Sequence, residues 1–220
     1  MREIRIPIFP LPNVVFFPKV LLPLHIFEPR YRQMVSDAIG GDQRIGLVLL
    51  QEGWEKDYDG APAVFPVGCL GKMEAHERLA EGRFNILLRG VSRFEITDFV
   101  QETPYRIAHV RLLTDRPLRL EPGEQLRQRD QFLHLFEQYL QQVMGIEIEK
   151  EMIASASTLE AVVNQVAALL DIPAPQKQQL LQLAAVAERY ERLRGIIDQR
   201  LRMARVMRRQ LIVPQDPSLN

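Results

Sequence analysis

Cysteine is almost absent from this chain. Cys69 is the one thiol, which excludes an intramolecular disulfide, a CxxC redox pair and a thiolate zinc site, and implies a reducing compartment. Histidine is scarce as well, and His25, His76, His109 and His134 are scattered and read as structural. No long apolar run is present. The stretch from Val14 to Phe27 is cut by Pro18, Lys19, Pro23 and His25, short of the ~20 uninterrupted apolar residues that a spanning helix needs. The opening MREIRIPIFPLP puts charges and prolines where a secretory signal would carry an apolar core. A cytoplasmic chain without a membrane segment is expected. Charge of one sign is also missing overall, since 28 basic residues meet 28 acidic ones, so any pull toward nucleic acid or acidic lipid must be local.

Catalytic motifs are missing too. There is no GxSxG elbow, no HExxH, no GxGxxG after a strand and no GxxxxGK[ST] phosphate loop. Gly68-Cys69-Leu70-Gly71-Lys72 comes nearest to the last of these, but its glycine spacing is one short and Met73 stands where Ser or Thr would hold magnesium. Cys69 lies in an apolar, strand-like segment and reads as a small core residue rather than a reactive thiol. The expectation is a binding protein with no catalytic residues, no cofactor and no metal.

What is present is a 220-residue chain, 46% hydrophobic, able to fill a core. Its first half has the period of two that marks half-buried strands. Phe84, Ile86 and Leu88 alternate with polar residues, as do Phe94 and Ile96, with Gly90 and Ser92 read as dividing two strands. Met73 and Ala75 precede a turn at Ala80-Glu81-Gly82. The runs Ile45 to Leu50, Ile4 to Phe9 and Tyr105 to Leu113 read as further strands. One helix is expected from about Pro29 to Ile39, with Tyr31, Met34, Val35 and Ala38 inward and Gly40-Gly41 ending it.

After Pro117, Pro122 and Gly123 the period changes. Phe132, Phe136, Tyr139, Leu140 and Val143 recur at helical spacing. Ser157 and Glu160 match a capping box ahead of Leu159, Val162, Val163, Val166 and Leu170, and Pro173 and Pro175 are read as stopping that helix. A short helix from about Gln176 and a long one, carrying Val186, Tyr190, Leu193, Ile197, Leu201 and Ala204 and ending near Leu211, complete the chain.

Two stretches could present exposed aromatic anchors. Val14 to Pro18 lacks alternation, so Phe16 or Phe17 could face outward. The charged, glycine-containing loop from Gln51 to Pro62 carries Trp54 and Tyr58. The last helix is basic, with eight arginines against three acids from Val186 to Ile212. It reads as a solvated face or a partner surface, because stacking aromatics for RNA are lacking among the arginines.

The segment IPIFPLPNVVFFPKVLLPLHIFEPRYRQMV, residues 6 to 35, resembles the opening of the Lon protease N-terminal domain. VGCLGKM at 67 to 73, GRFNILLRGVSRFEI at 82 to 96, and PAPQKQQLLQL followed by ERYERLRGII are similar to later parts of the same domain, in the same order. The resemblance implies an α+β fold. A PUA-like β pseudo-barrel lobe would occupy residues 1–116, and a helical bundle lobe with a long C-terminal helix residues 117–220. It also implies engagement of unfolded polypeptides or a protein partner. A complete Lon continues into an ATPase module and a serine-lysine peptidase, so the expectation here is a stand-alone copy of the recognition part. A PUA-like RNA-binding module is the alternative reading, and oligomeric state is left open.

Overall fold

The computed structural model describes residues 3–57, 60–146 and 158–211. Six strands occupy the first part of the chain: β1 (Glu3–Leu11), β2 (Leu21–Ile26), β3 (Arg44–Leu49), β4 (Val67–Arg78), β5 (Phe84–Gln101) and β6 (Arg106–Leu113). They run in the order β2-β5-β4-β3-β1-β6, and β6 pairs again with β5, which closes a barrel. Only β1 and β3 are parallel, with Ile8 opposite Gly46. Helix α1 (Pro29–Gly40) lies between β2 and β3 and buries Tyr31, Met34, Val35 and Ala38, as its spacing predicts.

Three details of the β lobe differ from the sequence reading. The proline-rich lead-in contains β2, whose period of two is masked because Pro23 and His25 fill its outward positions. The segment 84–101 is one 18-residue strand rather than two. Gly90 is a crossing point and not a break. A Cβ there would sit 2.0 Å from Phe17 O, and its backbone exchanges hydrogen bonds with Lys19 N (2.7 Å) and Val20 O (2.9 Å). The Gly68 to Lys72 segment is mid-strand in β4, and a Cβ on Gly68 would lie 2.3 Å from Leu47 O. That glycine serves close packing.

Helices follow: α2 (Pro122–Tyr139), which passes into a π turn (Leu140–Met144), then α3 (Leu159–Leu169), α4 (Ala174–Gln182) and α5 (Val186–Leu211). The expected cap Ser157 lies outside the described residues. Thr158 caps α3 instead, its Oγ1 accepting from the Ala161 N–H at 3.2 Å. Pro175 does not stop α3. It stands in the first turn of α4, where a missing N–H costs nothing.

The interior has three parts. Ile6, Ile8, Val48, Leu70, Phe94, Ala108 and Val110 fill the barrel. A second cluster joins α1 to Phe9, Phe16, Ile26, Met73 and Leu88. The third is built from α2, α3, α4 and α5, yet it includes Val15, Phe17 and Leu49 of the β lobe. Adjacent residues Phe16 and Phe17 therefore enter different cores, which is why the run from Val14 to Pro18 shows no alternation. Both of its faces are buried.

The lobes also meet through charge. Asp115 accepts from Arg93 Nε with one carboxylate oxygen and from Arg189 Nη2 with the other. Arg93 adds the carbonyls of Leu181 (3.2 Å) and Gln182 (3.4 Å), and Arg189 donates to Asn164 Oδ1. Arg189, grouped by sequence with a solvated helix face, is fully buried. Every buried charge here has a partner.

We propose the 116/117 junction as the boundary between lobes that unfold together, because the shared core and this ion cluster join residues on both sides of it. Asp115→Asn should strand two buried guanidiniums and lower stability by about 3–5 kcal/mol. Arg116→Ala, which removes an exposed 3.1 Å pair with Glu188, should cost less than about 1 kcal/mol. Urea denaturation followed by far-UV circular dichroism and tryptophan fluorescence should give coincident single transitions. Two separated transitions would refute joint unfolding.

Candidate functional site

Alternation along β2 turns Leu22, Leu24 and Ile26 inward and leaves Phe27, the next residue, pointing out at 62% exposure. The chain then starts α1. Pro29 occupies the first turn, and Glu28 sits at the N-cap position without a side-chain cap bond. Its carbonyl accepts from Tyr31 N (3.1 Å) and Arg32 N (2.9 Å), while its carboxylate pairs with Arg30 at 3.0 Å. This pairing holds both side chains half-buried at the helix start.

A cavity of about 200 Å³ opens here, bounded by Phe9 to Pro12, Leu24 to Tyr31, Leu50, Gly60, Pro62 and Glu102 to Arg106, though not by every residue in those stretches. Its walls are mainly apolar. The Phe9 and Tyr31 rings meet at 4.5 Å between centroids, and the Arg30 guanidinium lies 4.8 Å from the Tyr31 ring centre. Arg106 is buried, donates to Pro62 O at 2.8 Å and sits 5.5 Å from the Phe99 ring centre, so it ties the 60–62 loop to the barrel. A broader depression of about 670 Å³ shares Arg30, Pro104 and Tyr105 and extends the groove to Gln33, Asp37 and Gln101. Between the two, Tyr105 donates to Asp37 Oδ2 at 2.7 Å. Burial first, and then the Asp37 carboxylate, push the Tyr105 phenol up to about 12.

The sequence-predicted anchors are placed differently. Phe16 and Phe17 are 3% and 0% exposed and can offer nothing to a ligand directly. Trp54 starts a short 3₁₀ turn (Trp54–Asp57) and is half-buried, on the loop whose far end, Gly60 and Pro62, borders the cavity. Tyr58 lies outside the described residues. Phe27 and Tyr105 were not foreseen. The signal for Phe27 was the period of two from Leu22 to Ile26, which requires an outward aromatic at the next position.

Among the described residues no group of three or more His, Cys, Asp or Glu could hold a metal ion. Cys69 is fully buried, and loss of solvation pushes its thiol well above the ordinary range. Among the described residues no helix is long and apolar enough to cross a membrane. What the groove offers is apolar surface with charges of both signs at its rim.

A family model for the ATP-dependent protease La (LON) substrate-binding domain matches residues 5–199. The chain belongs to the Lon substrate-binding domain family. A Lon protease of Azospirillum brasilense is 28% identical over 207 residues, covering 92% of this chain and 25% of that protein. A Lon protease of Anaeromyxobacter dehalogenans is 28% identical over 191 residues, covering 84% of this chain and 22% of that protein. The chain thus spans about a quarter of the length of these relatives. The crystal structure of a Lon N-terminal domain protein from Xanthomonas campestris superposes with a TM-score of 0.61 at 23% identity, covering 86% of this chain and 96% of that one. The N-terminal domain of Mycobacterium avium complex Lon protease gives 0.62 at 18% identity, with 88% and 98% covered. These neighbours establish the fold, an α+β pseudo-barrel with a helical lobe and a long last helix. The part shared with the Lon relatives is substrate-binding rather than catalytic.

A phenol held neutral by burial and by Asp37 stabilises the fold below the unfolded value near 10, and that contribution is lost as pH rises toward 12. Ultraviolet absorbance titration should therefore show a tyrosine component near pH 12 whose amplitude falls by one phenol in Tyr105→Phe. An unchanged amplitude near pH 12 in Tyr105→Phe would refute the assignment.

Proposed function

We propose that this Lon-family chain recognises unfolded polypeptides by taking one large apolar side chain into the cavity beside Phe27, in a reducing, cytoplasmic setting. The observation that carries this reading is an outward aromatic at the mouth of an apolar cavity in a substrate-binding fold. Folded proteins bury such side chains, so a receptor that asks only for an apolar group discriminates in favour of unfolded chains.

Side-chain capture fits the site better than strand addition. Among the described strands, β2 pairs only with β5, but Pro23 at its centre lacks the N–H that an added strand would need. Trp54, on the loop that borders the cavity, is proposed as a further contact for the flanking peptide, and Tyr58 with it. Phe16 supports the site from the core that it shares with Phe9 and Tyr31.

Ordering a flexible peptide costs roughly 2–5 kcal/mol, so affinity should be weak, and a neutral groove makes it nearly independent of salt. The measurement is fluorescence anisotropy with a labelled, permanently unfolded casein and with single-stranded RNA, each at two salt concentrations. Casein should bind, and Phe27→Ala should weaken it by about fivefold or more, as expected for an aromatic anchor worth over ~1 kcal/mol. Trp54→Ala should weaken it less. Binding of RNA alone, with a steep salt slope, would replace this reading with the PUA-like RNA-binding one.

A further inference from the structure

The last helix changes character along its length. In its first half Glu188, Glu191 and Asp198 balance Arg189, Arg192 and Arg194, and four of the six are paired: Arg194 with Glu191 at 2.9 Å, Glu188 with Arg116 at 3.1 Å, and Arg189 with Asp115. From residue 200 onward there are Arg200, Arg202, Arg205, Arg208 and Arg209, with no acidic residue between Asp198 and Asp216. Among the described residues no carboxylate pairs with Arg202, Arg205 or Arg208. The same stretch exposes Met203 (55%), Val206 (55%) and Met207 (63%), while Leu201 on the inner face is 3% exposed. The family match ends at residue 199, so this surface lies beyond the matched substrate-binding region.

We infer that residues 200–211 of α5 form a docking surface for an acidic amphipathic helix of a partner protein. Met203, Val206 and Met207 stand at i, i+3 and i+4, so they make a narrow apolar seam along one face, the shape that a partner helix covers. Methionine suits such a contact because its unbranched side chain adapts to its neighbour. Arg202 stands at the edge of this seam and Arg205 farther round the helix, both exposed, so the stretch carries a positive field toward which carboxylates beside a partner's apolar stripe would be drawn. The inner side of the helix is held in place by Arg200 Nη1 donating to Tyr139 OH (3.1 Å) and Arg208 Nη2 donating to Gln142 O (2.8 Å). The surface is thus displayed on an anchored helix, an arrangement that reduces the ordering cost of binding.

The charge decides between occupants. A second copy of this segment would set five arginines against five with no carboxylate to separate them, which opposes self-pairing. A bilayer surface favours helices with bulky Trp, Phe or Leu on the apolar face, and here that face is two methionines and a valine. Single-stranded RNA needs stacking partners, and no aromatic residue follows Tyr190.

The test uses the full chain and a labelled designed peptide of about four heptads, with Leu at a and d and Glu at e and g. A peptide of the same composition with its heptads scrambled, a single-stranded RNA and anionic vesicles serve as comparisons. The amphipathic peptide should bind best. Met203→Ser with Met207→Ser should weaken it by about tenfold or more, and Arg202→Gln with Arg205→Gln should weaken it similarly and flatten its salt dependence. All four positions are exposed, so circular dichroism should be unchanged. Phe27→Ala, which tests the groove, should leave this binding intact. The inference is overturned if the amphipathic peptide fails to bind, or if scrambled peptide, RNA or vesicles bind as well as it does. It is equally overturned if Phe27→Ala abolishes binding, or if sedimentation reveals a dimer of the chain that the methionine variant dissolves.

Discussion

One carboxylate governs how this molecule is assembled. Asp115, at the exit of the barrel, holds Arg93 from the middle of β5 and Arg189 from the first turn of α5, and both guanidiniums are out of solvent. Burying charge in this way adds little net stability, because the desolvation penalty nearly cancels the attraction; its effect is to make misplacement expensive. Two cations against one anion leave a positive excess, which the carbonyls of Leu181 and Gln182 and the amide oxygen of Asn164 spread over neutral acceptors. Four elements, β5, α3, α5 and the last turn of α4, are thereby held in one relation. The backbone alongside repeats the restraint, with Arg116 N donating to Ala184 O at 2.8 Å. A shift of α5 along the barrel would break both Arg189 bonds, to Asp115 and to Asn164, at once.

The groove depends on that relation through the segment between β1 and β2. Phe17 enters the helical core, Phe16 enters the core under α1, and Gly90 lets the backbone from Phe17 to Pro18 cross β5. Phe16 shares its core with Phe9 and Tyr31, two walls of the cavity. The helical lobe is therefore joined to the cavity walls by two consecutive buried residues, a short mechanical path. The prolines around this segment act with it, because a fixed φ limits how far the crossing can drift.

Much of the fold was legible because its signals are local. α1 shows its inward stripe, its proline start and its glycine end, and the change of period near Pro117 marks where sheet gives way to helix. What the sequence hid was set by distant contacts. Gly90 has the composition of a break, and only the approach of Phe17 O, 73 residues earlier in the chain, makes it part of a continuous strand. Arg189 has the composition of a solvated face, and only Asp115 explains its burial. The site was hidden for the same reason. Phe16 and Phe17 drew attention as two aromatics in a run without alternation, but such a run also describes a segment buried on both sides. Phe27, a single aromatic after a strand masked by Pro23, carried the better signal.

The zero net charge of the chain conceals an uneven distribution that separates its two proposed surfaces. Five arginines without an acid in residues 200–211 leave the remainder with an excess of five negative charges. Around the groove, Glu28 is paired with Arg30, while Arg106 is turned onto Pro62 O and Phe99. An apolar ligand there meets little field. The end of α5 presents the opposite case, a cationic stretch whose Arg202, Arg205 and Arg208 meet no carboxylate among the described residues, beside a thin apolar seam. Its attraction for an acidic helix would act over roughly a Debye length, about 8–10 Å at physiological salt, before any side chain made contact. On the proposed readings the two surfaces would respond to different properties of a polypeptide, one to the absence of folded structure and the other to a folded, acidic helix. A chain so built would hold an unfolded segment and a structured partner at once, because neither ligand competes for the chemistry that the other uses.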